Sequence, residues 1–65
     1  MMRQFADALI RDLHNQREQY KGDLARGQCK SFDEYQKLCG IIQGLSLAEQ
    51  HIEDLANHLE KDADG

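Results

Sequence analysis

A chain of 65 residues holds one domain with a thin core, since at this length folding buries only about 60% of the surface the unfolded chain exposes. Its composition, 40% hydrophobic and 31% charged, is that of a folding chain, and its net charge of −4 argues against the basic face that non-specific binding to nucleic acid or to anionic membranes requires. No apolar run approaches the ~20 residues of a membrane span, and Asp7, Arg11 and Asp12 interrupt any signal-peptide core, so two cysteines without an export signal predict free thiols in a reducing cytoplasm.

From residue 3 to residue 26 the pattern is helical. Phe5, Leu9, Leu13, Gln16, Tyr20 and Leu24 follow a 4-4-3-4-4 spacing that sets them on one stripe, widened by Ala6 and Ile10. Gly22 costs about 1 kcal/mol relative to alanine inside a helix and softens the last third. Gly27 reads as the stop, because a glycine just past the last periodic residue adopts the left-handed conformation that ends a helix. The turn spans residues 27–31.

Ser31 opens a second helix over residues 32–61. Ser31 and Glu34 form a capping box: the serine oxygen accepts from the third helical N–H while the Glu34 side chain reaches back. The stripe Leu38, Ile41, Leu45, Ala48, Ile52, Leu55 and Leu59 repeats at 3-4-3-4-3-4, a heptad seam of the coiled-coil kind, and Tyr35 and Ile42 broaden its first half. The polar tail 62–65 is expected to fray.

So short a connection predicts an all-α, antiparallel two-helix hairpin occupying residues 1–65 as one unit. Its expected core is Phe5, Leu9, Leu13, Tyr20, Leu24, Tyr35, Leu38, Ile41, Ile42, Leu45, Ala48, Ile52, Leu55 and Leu59. Residues 1–30 carry six basic against four acidic side chains and residues 31–65 carry two against eight, so a hairpin lays a basic half along an acidic one. Small domains commonly add disulfides, a metal or oligomerisation, and here the expectation is a four-helix bundle or a higher helical oligomer.

Chemistry finds little support. Cys39 falls about two turns into the second helix, too far from Cys29 in the loop for a bridge, so Cys39 reads as a small buried residue and Cys29 as an exposed thiol. His51 and His58 are seven apart rather than the four that two ligands of one ion need on a helix, and His14 lies elsewhere. No cofactor, no metal and no catalytic residue is expected; Ser31 and Ser46 lack a histidine partner in the pattern. Arg3, His14, Arg17 and Lys21 form a loose basic stripe like that of the RNA-binding hairpin dimer Rop, which this chain resembles in length and architecture only. Asp7 and Glu18 interrupt it, and a solvated face with local pairs such as Asp7–Arg11 is the preferred reading.

A second stripe on the second helix is more informative. Gly40, Gly44, Leu47, His51, Leu55 and His58 repeat at 4-3-4-4-3. Two glycines one turn apart weaken a helix, and alignment with an apolar residue marks Gly40, Gly44, Leu47, His51 and His58 as a candidate partner face.

Residues 34–45, Glu-Tyr-Gln-Lys-Leu-Cys-Gly-Ile-Ile-Gln-Gly-Leu, followed by Ala48, Ile52 and Asp54-Leu55, resemble a group of short tailed-bacteriophage proteins with the pattern Tyr-x-x-Leu-Cys-Gly-x-Ile-x-Gly-Leu. The resemblance covers about half of the chain. It implies a phage origin and a short helical protein, of a group whose genes often lie near head and portal genes, and it carries over no catalytic residue. The function expected from these features together is non-enzymatic: self-association and binding to another phage or host protein, in virion assembly or the head–tail structure. Inhibition of a host polymerase or defence protein is the alternative, and Rop-like RNA binding a third. The expected location is the infected host's cytoplasm, or the virion.

Overall fold

The computed structural model describes the backbone of residues 2–64 and the side chains of residues 3–61. It is all-helical: α1 (Met2–Ala25) and α2 (Phe32–Asp64) pack side by side as an antiparallel hairpin. The helices end for the reasons their sequences supply. Gly27 has φ 72°, Gly27 N–H donates to the Leu24 carbonyl at 3.1 Å, and Gln28 N–H donates to the Asp23 carbonyl at 3.1 Å. This pair of bonds satisfies carbonyls that α1 would otherwise leave open, and a left-handed residue is needed to form it.

At the start of α2, Ser31 Oγ accepts from Glu34 N–H at 3.1 Å, as the capping box predicts. The Glu34 carboxylate reaches one residue further back than expected and accepts from Lys30 N–H at 2.7 Å. Asp33 and Glu34 stand in the first turn, where the helix dipole favours negative charge. At its far end α2 continues past the expected stop at Lys61 to Asp64, because Asp62-Ala63-Asp64 contains neither proline nor glycine to interrupt the hydrogen-bond ladder. Gly65, the last residue of the expected frayed tail, lies outside the described residues.

The line of contact between the helices differs from the predicted stripes by about one residue. On α1, the side chains that lose most exposure are Arg3, Ala6, Ile10, Leu13, Arg17, Tyr20 and Leu24, a 3-4-3-4-3-4 heptad. On α2 they include Leu38, Ile42, Leu45, Glu49, Ile52 and Ala56. Only Ala6 and Ala56, 4% and 3% exposed, count as buried among the described residues. Phe5, Leu9, Tyr35, Leu55 and Leu59, all expected in the core, are instead exposed. The apolar stripe on each helix is wider than the groove one partner helix covers, and ion pairs turn the polar edge of each helix inward.

The hairpin is 51 × 16 × 10 Å, one helix thick. Its radius of gyration is 15.2 Å, against about 11 Å for a globular domain of this length. No side chain other than an alanine is sealed from solvent among those described, so packing within one chain supplies little of the burial on which small domains depend. No helix among the described residues is long and apolar enough to cross a membrane.

Candidate interaction face

The hairpin has two unlike sides. On the polar side Arg3 crosses to α2, donating from Nη2 to Glu53 Oε1 at 2.6 Å and from Nη1 to Asn57 Oδ1 at 3.1 Å. Its guanidinium is held above its ordinary pKa, first by the hydrogen bond to Glu53. Asp7 is engaged by Arg3 at 3.3 Å, the i−4 neighbour, rather than by the expected Arg11. Further along, Arg17 Nη1 lies 3.0 Å from Glu49 Oε2 and donates to Ser46 Oγ at 3.1 Å. Arg17 Nη2 lies 2.7 Å from His14 Nδ1, which therefore accepts. The guanidinium thus stands between Ser46 and His14, and no serine–histidine dyad forms there. Arg3 and Arg17 face glutamates and Lys21 pairs with Glu18 at 3.1 Å, so three members of the basic stripe are neutralised locally. The Lys21 bond also holds the Glu18 carboxyl below its usual value.

The opposite side is apolar at its open end. Phe5, Ala6, Leu9, Ile52, Leu55, Ala56 and Leu59 line one cleft of ≈ 140 Å³, drawn from both helices. Phe5 is 64% exposed and Leu55 50% exposed. Toward the loop the same side continues as a shallower cleft lined by Tyr20, Asp23, Cys29, Lys37, Leu38 and Ile41, among others. The predicted core residues that the partner helix leaves uncovered, Phe5, Leu9, Leu55 and Leu59, therefore do share a surface: it is the apolar face of the hairpin rather than its interior. The sequence signal was correct about periodicity and silent about which half of a wide stripe the partner helix covers.

The second stripe is open. Gly40, Gly44, Leu47, His51 and His58 are exposed. A Cβ built on Gly40 or Gly44 meets nothing within 4 Å, so no helix of this chain makes use of the missing side chains. Gly44 and His51, eleven and four residues before Leu55, lie along the border of the apolar face. Gly44→Leu is expected to stabilise the isolated helix by up to ~1 kcal/mol. If another helix packs there it should weaken association by about 1–3 kcal/mol through overpacking. Melting curves and sedimentation on the same samples separate the two effects. A variant of unchanged mass and higher melting temperature would make this stripe a solvated surface.

At the loop end both thiols are free and half-buried, which places Cys29 deeper than expected and Cys39 shallower. Tyr35 stacks on Phe32 at 6.3 Å between ring centroids. The Tyr35 hydroxyl is pushed above its ordinary pKa, first by its hydrogen bond to Cys39 and then by the nearby thiol charges and partial burial. Among the described residues no group of three or more histidine, cysteine or carboxylate side chains is placed to hold a metal ion. No family model, curated protein or solved structure matches the chain.

Proposed function

We propose that this chain is a non-enzymatic interaction protein whose hairpin self-associates through its apolar face and, in that assembled form, binds another protein. The observation that carries this reading is the uncovered surface. A monomeric globular protein of 7.5 kDa exposes about 4200 Å². The hairpin exposes 5127 Å², and the excess of roughly 900 Å² is close to one partner's share of a standard protein–protein interface. Part of the exposed surface is apolar and contiguous, since Phe5, Leu9, Leu55 and Leu59 lie exposed along one cleft. Contiguous exposed apolar surface of this kind marks an interaction site. A four-helix bundle is the arrangement that covers it on both helices at once.

Sedimentation equilibrium at micromolar concentration tests the reading: the expected mass is at least twice 7.5 kDa, and a well-folded monomer would sink it. The biological setting rests on the resemblance of residues 34–45 to tailed-phage proteins. Virion assembly or a head–tail role is the proposed context. Mass spectrometry of purified virions supports that role if the chain is found there, and capture of a host polymerase or defence protein from infected cells would favour the inhibitor role instead.

A further inference from the structure

We infer that the partner on the apolar face is a second copy of this chain, docked with the two open ends together so that α1 of each copy packs on α2 of the other. This rests on the self-association reading and adds the orientation. The side of the hairpin that carries the face is 51 Å by 16 Å, an outline on the order of 800 Å², the share each subunit brings to a standard interface. A second hairpin has the shape that covers it from end to end.

The orientation follows from the edges of that face. Along α1 the edge carries Phe5 near the open end and Asp23 near the loop, eighteen residues or five helical turns apart. Along α2 the edge carries Leu55 near the open end and Lys37 near the loop, again eighteen residues apart. Each edge is therefore apolar at one end and polar at the other, with Lys37 exposed and Asp23 engaged at 2.6 Å by Arg26, one residue past α1.

Two copies can meet face to face in two ways that satisfy two-fold symmetry. With open ends together, α1 lies on the partner's α2, Phe5 reaches the level of Leu55, and Asp23 reaches the level of Lys37. With open ends apart, α1 lies on α1 and α2 on α2. Phe5 then falls opposite Asp23, and Leu55 opposite Lys37, which sets each apolar end against a charge. The second arrangement also stacks α2 on α2, and each carries eight acidic against two basic residues, whereas α1 carries four of each. Apolar matching and charge both select the first.

Spin labels at the two ends test it. Lys61→Cys and Lys30→Cys, each in a Cys29→Ser, Cys39→Ser background, mark the open end and the loop end in the full chain. Both positions are exposed. Open ends together predicts inter-copy label distances set by the bundle's width, on the order of 20–30 Å, for both variants. Open ends apart predicts distances approaching the 51 Å length for both. Long distances in a protein that sediments as a dimer would overturn the orientation and leave self-association standing, whereas a monomer would remove both. A charge exchange gives an independent check. Lys37→Asp should raise the dimer dissociation constant severalfold, since two symmetry-related edge contacts lose their attraction, an effect that the Asp23–Arg26 pair reduces. Adding Asp23→Lys should restore it. A Lys37→Asp protein that dimerises as tightly as the parent would overturn the proposed pairing.

Discussion

Leu55→Asp is expected to abolish self-association at micromolar concentration while leaving the fold of one hairpin available. In the single hairpin Leu55 is half exposed, so a carboxylate there remains solvated and costs little. In the assembled form the same carboxylate sits in the cleft shared by Phe5, Leu9, Ile52 and Leu59, which a second copy would close. An ionised group moved from water into such surroundings without a partner costs several kcal/mol. The symmetric dimer incurs it twice, so a loss of more than a hundredfold in affinity is expected. Because one hairpin buries so little by itself, the variant should show lower helix content than the parent at micromolar concentration, and that content should not change with dilution. The sign with pH follows from burial, which disfavours the charged form. The penalty is present above the raised pKa of the introduced carboxyl and is relieved as pH falls through it, so association should partly recover on mild acidification. Leu47→Asp is the control. Leu47 is exposed and lies outside that cleft, so its variant should sediment like the parent. Equal loss from both substitutions would show that the loss is not specific to the apolar face, whereas an unchanged Leu55→Asp protein would show that association does not use it.

The hairpin itself was legible because its boundaries are written in residues with local mechanisms. Gly27 ends α1 through its own backbone conformation, and Ser31 with Glu34 starts α2 through bonds made within four residues. The antiparallel pairing then follows from the shortness of the turn. The rotational setting of each helix was not legible. Periodicity finds the centre of an apolar stripe, but a helix in a two-helix hairpin has only one neighbour, and the contact centres where that neighbour's side chains fit best. Here the small Ala6 and Ala56 allow close approach, while Arg3 and Arg17 reach across to Glu53 and Glu49. Each helix is thereby turned toward its polar edge, and Phe5, Leu9, Leu55 and Leu59 are left on the surface. Arg17 and Glu49 had no signal in a hydrophobic pattern, because charged side chains at seam positions read as interruptions. The chance that they pair across the seam appears only once both helices are placed.

That pair supports a second large effect. Arg17 is 23% exposed and Glu49 14% exposed, and Arg17 Nε and Glu49 Oε2 are shielded from water without a hydrogen-bond partner. The charges are close, at 3.0 Å, yet their hydrogen bonding is incomplete. Removing one partner leaves the other charge in place with less to offset its desolvation. Glu49→Leu is therefore expected to destabilise the hairpin by about 2 kcal/mol, below the 3–5 kcal/mol of a fully buried pair because Arg17 keeps some solvent and lies 3.7 Å from Glu18. In a domain this small that corresponds to a fall of roughly 10 °C in melting temperature. Replacing both, Arg17→Leu with Glu49→Leu, should return the melting temperature to the parent's value or above it, since well-packed apolar residues commonly match such a pair. The double variant should nevertheless associate more weakly. Without the pair, only the bonds from Arg3 to Glu53 and Asn57 hold the polar edges inward, and the helices are freer to rotate so that Leu9 and Leu55 turn toward one another inside the hairpin, covering surface that the proposed second copy would use. Recovered stability with weakened association is the combination expected from a polar pair that sets rotation rather than strength. A Glu49→Leu protein as stable as the parent would instead make Arg17 and Glu49 an ordinary solvated pair.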